Sequence, residues 1–270
     1  MSGDAIGNKK KPDGDWLGRI PNGLHGWVVP LTLVVVWEAA AALNLISPSL
    51  LPAPSAIVGQ FFSLIASGEL FEHFAMSTYR AMLGFILGAT VGLLLGLSTG
   101  LGKLAERTLD PSLQMLRMIP LLSLIPLFIL WFGVGEFSKV LMISLGAFFP
   151  VYVNTFLGIR NVDIKLIEVS RIFQYSRWQL LSKLIIPAVL PNILLGIRLS
   201  LGVAWLVLVV AEMMGASSGI GYMIQDARAY SQTDKVFVGI SIFAIIGKLS
   251  DSGVRLLETR WLRWRDTYKG

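Results

Sequence analysis

Three stretches of this chain, Ala81–Gly102, Met118–Gly135 and Val140–Ile159, contain no Asp, Glu, Lys, Arg or His. Each approaches the roughly 20 apolar residues that a helix needs to cross about 30 Å of hydrocarbon. In lipid every backbone N–H and C=O must find its partner within the segment, so such stretches form helices. Strand-type alternation of apolar and polar residues is absent, which argues against a β-barrel. The implied fold class is all-α and polytopic in a membrane. Composition agrees: 15% of the 270 residues are charged, against about 25% in a soluble domain.

The same criterion places about six transmembrane helices, at Leu24–Ile46, Arg80–Leu101, Leu113–Val134, Val140–Ile159, Ile193–Met214 and Val236–Leu257. Pro120 and Pro126 interrupt the third. The Pro-rich SPSLLPAPS at 47–55 is a loop, and Ala56–Ser77 reads as an amphipathic helix lying in the interface. Residues 1–22 read as a disordered basic tail and 23–258 as the membrane domain, with a charged insert at 160–187. Residues 259–270 read as a second basic tail, whose Trp261 and Trp264 suit the headgroup level. No cleavable signal is expected, so the first span stays as an anchor.

The formal charge is +6. The basic residues sit at span ends, so membrane orientation accounts for them and nucleic acid is not an expected partner. Lys9, Lys10, Lys11, Arg19, Lys103, Arg107, Arg160, Lys165, Arg171, Arg177, Lys183, Arg260, Arg263, Arg265 and Lys269 fall on one side. Only Arg80, Lys139, Arg228 and Lys235 fall on the other. The first side is cytoplasmic by the positive-inside rule, and with it both termini and the insert; Gly215–Lys235 faces outward. The chain has no cysteine, which excludes disulfides and thiolate metal sites.

Gly84, Gly88, Gly92, Gly96 and Gly100 recur every four residues along one face of the second span. Such a row lets another helix approach closely. It serves either tight packing or a gating surface.

The insert breaks the apolar pattern. From Asp163, which can cap a helix, apolar residues recur at Ile164, Ile167, Ile172, Trp178, Leu181, Leu184 and Ile185, while Lys165, Glu168 and Arg171 line another face. The phase slips near Tyr175-Ser176, where a turn is expected. Pro187 and Pro191 are expected to end the second helix and start the fifth span. The exposed residues of this short hairpin should be Ser170, Arg171, Gln174, Tyr175 and Ser176. On pattern alone it is either a linker lying on the bilayer or a contact for a partner.

The spacing resembles the cytoplasmic loop signature of bacterial ABC-importer permeases, in which Glu-Ala-Ala is followed by three residues, Gly, nine residues and Ile-x-Leu-Pro. Here Glu168-Val169-Ser170 is followed by three residues, Gln174, nine residues and Leu184-Ile185-Ile186-Pro187. Glu168 and Pro187 match, and the register is kept. Gln174 stands where the family has a turn glycine, and a positive φ there costs a residue with a Cβ about 1 kcal/mol. Either the turn is built differently or the helix runs further. From about Gly26 to Arg265 the chain looks like permeases of the nitrate/sulfonate/taurine importer group, closest to those for aliphatic sulfonates. The likeness is carried by LQMLRMIPLLSLIPLFILWFG (113–133), FFPVYVNTFLGIRNVD (148–163), WLVLVVAEMMGASSGIGYMIQDAR (205–228) and the ending ETRWLRW.

The resemblance implies the fold of a type I ABC-importer permease in the bacterial plasma membrane, paired with a second copy of itself. It also implies two cytoplasmic ATPases docked on the insert and an extracytoplasmic solute-binding protein. No Walker A motif is present, since Gly102-Lys103 and Gly247-Lys248 are each followed by Leu without the upstream glycine. The chain is therefore expected to be no enzyme and to bind no cofactor; ATP and Mg belong to the partner ATPase. Glu168, Ser170, Arg171, Gln174, Tyr175, Ser176, Arg177 and Pro187 would form the coupling element. An anionic substrate calls for donors and cations along its route, and the candidates are Gln114, Arg117, Ser123, Asn154, Arg198 and Trp205. Arg198 either meets the anion or snorkels to the headgroups. Glu212, at the outer end of the fifth span, is a candidate for docking the binding protein. Lys248 and Asp251, three apart on a helix, can neutralise each other, and Glu38 has no evident partner.

Two other classes fit less well. A secondary transporter needs matching helix breaks in two halves, and only the third span shows one. A membrane enzyme needs clustered acids or histidines, and the two histidines, His25 and His73, stand apart.

Overall fold

The glycine row holds the centre of the molecule together. In the computed structural model, which describes residues 25–262, the chain runs α1 (His25–Ala42), α2 (Pro54–Ala66), α3 (Glu69–Leu101) and α4 (Lys103–Arg117). A 3-10 turn (Leu121–Leu124) leads to α5 (Ile125–Phe132), α6 (Glu136–Arg160), α7 (Ile164–Ile172) and α8 (Arg177–Leu180). A π-turn (Leu181–Ile185) leads to α9 (Ile186–Met213), α10 (Ile220–Ala229) and α11 (Thr233–Trp261). The tail expected at 1–22 lies outside the described residues, as does most of the one expected at 259–270. No strand occurs among the described residues.

All five glycines of the row are buried and face α6. A Cβ on Gly84 would stand 2.6 Å from the Ile143 side chain, one on Gly92 2.6 Å from the Phe148 carbonyl oxygen, and one on Gly96 2.8 Å from Thr155. No real Cβ comes that close, so only glycine permits this helix spacing. The packing role of the row is what the structure displays. On its other side α6 packs against α9 through Gly158, where a Cβ would stand 2.7 Å from Val189, and through Gly196, where it would stand 3.0 Å from Asn154 and the Pro150 carbonyl oxygen. Buried Ile143, Ala147, Val207 and Leu208 fill the space between.

Among the described residues, four helices are long and apolar enough to cross a membrane: α3, α6, the continuous Arg177–Met213 and α11. The bent pair of α4 with Leu121–Phe132 supplies a fifth, and Val28–Ala42 is a shorter apolar helix. Several expected boundaries move. The third span does not run straight from Leu113. Helix α4 already starts at Lys103, and the chain turns by 86° before Leu121. Pro120, extended at φ −60° and ψ 116°, causes the break, because it lacks an N–H and bars its predecessor from helix. Pro126 causes none: it sits in the first turn of α5, where no N–H is needed.

The interfacial helix expected at Ala56–Ser77 is two elements. Gly68, at φ +78°, reverses the chain as only glycine does cheaply, and the residues from Glu69 onward belong to α3. Glu38 gains a role: its carboxylate accepts the Ser55 N–H at 3.0 Å and the Ser55 hydroxyl at 2.7 Å, holding the first turn of α2 against α1. Pro187 does not end a helix. The π-turn at Leu181–Ile185 lies just ahead of it, and the helix continues through Pro191 to Met213. Pro187 has no N–H to give the preceding turn, and the wider turn takes up the local change in hydrogen bonding.

Candidate functional site

The insert is a helix–turn–helix. Asp163 caps α7 by accepting the Lys165 N–H at 2.9 Å. The turn keeps the geometry that glycine favours: Gln174 has φ +51°. Its N–H donates to the Arg171 carbonyl, and the Tyr175 N–H donates to that of Ser170, both at 3.0 Å. These two bonds make a Schellman motif with glutamine in the left-handed position. Ser176 then opens α8 with a reciprocal cap, its hydroxyl accepting the Gln179 N–H while the Gln179 side chain accepts that of Ser176. Neither alternative for Gln174 holds: the helix does not run further and the turn is not built differently, because capping on both sides holds the glutamine in the glycine conformation. Gln174→Gly is expected to relieve about 1 kcal/mol, which is roughly a fivefold slower hydrogen exchange at the Tyr175 amide. Unchanged or faster exchange there contradicts the strain.

Glu168, Arg171, Gln174, Tyr175, Ser176 and Arg177 are exposed and Pro187 is half-buried. Ser170 is not at the surface as expected. It is 2% exposed and its hydroxyl donates to the Ile167 carbonyl at 2.7 Å, because it sits on the inner face of the turn. It is also the one buried residue of α7. Ile172 is 79% exposed, Phe173 70% and Trp178 73%. A mixed apolar and charged surface of this kind, uncovered by the described residues, is what a partner contact looks like.

The pathway candidates do not form one site. Gln114 donates to Asp110 at 3.2 Å and Asn154 to the Pro150 carbonyl at 2.8 Å, while Arg117 and Ser123 lie exposed on either side of the α4 bend. Arg198 and Trp205 share a cleft between α9 and α11. Arg198 neither points free into a pathway nor reaches for headgroups. Its Nε pairs with Asp251 and its Nη1 lies 3.8 Å from Glu258. Asp251 is therefore engaged by Arg198, and by Arg255 at 3.5 Å, rather than spent on Lys248. The Trp205 indole N–H donates to Ser250 at 3.1 Å.

The most developed polar site is one that no sequence pattern singled out. Arg80 is 0% exposed, and all five of its N–H groups have acceptors. Nε and Nη2 donate to Glu136 at 2.5 and 2.8 Å, Nη1 to Glu212 at 2.8 Å and to the Ser218 carbonyl at 2.6 Å, and Nη2 to the Ser218 hydroxyl at 3.3 Å. Glu212, 1% exposed, also accepts the Ser77 hydroxyl at 2.8 Å and the Gly221 N–H at 2.9 Å. The Ile220 N–H donates to Ser77, and the Gly219 N–H to His73 Nδ1. The open N–H groups at the start of α10 thus meet acceptors on α3 and α9, with a carboxylate at the positive end of the helix dipole. Gly219, at φ +114°, leaves no room for a Cβ against Glu212. Glu212 is committed inside the chain and offers no carboxylate to a docking protein. A signal for this site existed in the sequence: His73, Ser77 and Arg80 continue the helix face of the glycine row.

Comparison with known proteins places this architecture. Residues 88–263 match the family described as binding-protein-dependent transport system inner membrane component. A Bacillus subtilis (strain 168) chain named as an aliphatic sulfonates transport permease protein, SsuC, is 55% identical over 100% of both chains. Its namesake from Escherichia coli (strain K12) is 46% identical over 94% of this chain and 95% of that one. The fold is similar to that of a chain in the MetNI methionine ABC transporter, solved in inward facing conformations, with a TM-score of 0.52 and 22% identity over 71% of this chain and 95% of that chain. An all-helical, multi-pass chain with this fold, matched across most of its length, belongs to the binding-protein-dependent transport system inner membrane components, the permeases of ABC transporters.

Proposed function

We propose that the chain forms the membrane pathway of an ATP-driven importer that carries a small organic anion, an aliphatic sulfonate, into the cytoplasm. Two copies line the route. Two cytoplasmic ATPases seat on the inserts, and an extracytoplasmic binding protein delivers the substrate. The names of the nearly full-length relatives support the substrate class. The observation that carries the mechanism is the unbroken helix Arg177–Met213. It joins the uncovered insert to the centre of the membrane core, and at 1.5 Å per residue its 37 residues form a lever of about 55 Å.

ATP closes the two ATPases and displaces the inserts as rigid bodies. Helix α8 cannot slide independently of α9, since the two are one helix, and the capped turn ties α7 to α8, so the motion passes into the α9–α6–α3 stack. That stack excludes even a methyl group at its glycine contacts, so it moves as a unit rather than deforming. The pathway then alternates between outward and inward openings. The energy comes from the partner: this sequence holds no phosphate-binding loop, and ATP and Mg are bound by the ATPase.

The test is uptake into proteoliposomes. The permease is co-reconstituted with its ATPase, and radiolabelled ethanesulfonate or hexanesulfonate is presented with the binding protein. Uptake should require ATP on the insert side and fall to background without the binding protein. Uptake driven by an ion gradient without ATP replaces this reading with a secondary transporter.

A further inference from the structure

The cleft shared by Arg198 and Trp205 has a volume of about 620 Å³. Its floor is open because Gly202 and Gly247 face it, and a Cβ on either would meet nothing within 4 Å. The walls are leucine, valine and phenylalanine side chains of α9 and α11. Polarity is confined to one flank. There Arg198 pairs with Asp251, and Trp205 ties α9 to Ser250 of α11. The cleft therefore has the shape of an amphipathic anion: an apolar trough with one cation at its edge.

The ion pair is arranged so that it can open without stranding a charge. Asp251 has a second cation, Arg255, at 3.5 Å. If an external anion takes Arg198, Asp251 keeps Arg255. With no ligand, Asp251 and Glu258 prevent Arg198 from standing alone in a low-dielectric setting, which is costly. An internal carboxylate competing for the same guanidinium also keeps the hold weak enough for release, as a conducting site requires.

We propose that this α9–α11 cleft holds the sulfonate in passage, with Arg198 exchanging Asp251 for the substrate headgroup while the alkyl chain lies along Gly202 and Gly247. The proposal rests on the reading of the chain as a sulfonate importer and assigns the substrate a place in it. A sulfonate oxygen accepts from the guanidinium as a carboxylate oxygen does. The trough rewards each added methylene with buried apolar area.

Equilibrium binding of radiolabelled hexanesulfonate tests it. The permease–ATPase complex is held in lipid nanodiscs without binding protein, and ATP-driven uptake is measured on the same preparations. Arg198→Gln is expected to weaken binding at least tenfold. Gly247→Leu, which fills the trough, should lower the ratio of hexanesulfonate to ethanesulfonate affinity at least tenfold. Asp251→Asn, which removes the competitor, should tighten binding several-fold, a gain that general misfolding does not produce. The absence of saturable binding, equal affinities in all variants, or weaker binding by Asp251→Asn overturns the cleft. If ATP-driven uptake persists in that case, the importer reading stands without it. The expected binding pattern without ATP-driven uptake leaves the cleft and removes the importer.

Discussion

Arg80→Ala is expected to lower the stability of the folded permease by about 3–5 kcal/mol, the range for breaking a buried ion pair from one side. The loss is large because the substitution leaves Glu212 buried without its cation. It also frees the Ser218 carbonyl and hydroxyl that anchor the chain before α10. Glu136 suffers less, since it is half exposed and keeps Lys139 at 3.3 Å. Arg80→Lys should recover only part of the loss, because three donors on a point charge cannot serve the acceptors that five donors in a planar fork now serve. Arg80→Leu combined with Glu212→Leu should be milder than Arg80→Ala alone, since no charge is then stranded. Thermal melting of the purified permease, together with its level in the membrane, reads all three. An Arg80→Ala protein that melts with the wild type would mean that the cluster contributes nothing to stability.

Phe173→Asp should release the ATPase and reduce ATP-driven uptake at least 100-fold, while the permease still inserts at its normal level. Phe173 sits at the exposed turn of the insert beside Ile172 and Trp178. Large apolar groups of this kind supply most of the energy of an interface, and an unpaired carboxylate placed among them is strongly penalised. A 100-fold weaker complex corresponds to about 2.8 kcal/mol, a modest demand for such a change. Its own fold should be spared because the side chain is 70% exposed. Glu168→Lys and Tyr175→Ala, also on exposed positions of the insert, should act in the same direction. Pull-down of the ATPase on tagged permease gives the answer independently of transport. Full recovery of ATPase by Phe173→Asp would return the insert to the role of a linker on the bilayer.

What the sequence by itself determined is what local chemistry and the solvent impose. Uncharged runs had to become helices because lipid offers a backbone no other partner, and most of α3, α5 and most of α6 are the result. The close helix contact came from glycines spaced by four. The insert was legible as two short helices with a turn between them because caps and turns are written in neighbouring residues. The cost of a glutamine at position 174 could be stated in advance, but not that the turn would accept it.

What only the tertiary structure decided is which groups meet. Arg80 looked like the end of a span because a hydropathy boundary stops at the first charge. In the fold α3 extends back to Glu69, and Arg80 meets a carboxylate 132 residues away. Arg198 had two readings, and neither included Asp251, which lies 53 residues on. Pro187 was expected to end a helix, and a π-turn carries the helix past it. The reason is common to all three. An ionisable group or a proline inside a membrane is costly alone and tolerable only with a partner or a local adjustment, and that compensation is supplied by other helices or by backbone geometry that no neighbouring residue encodes.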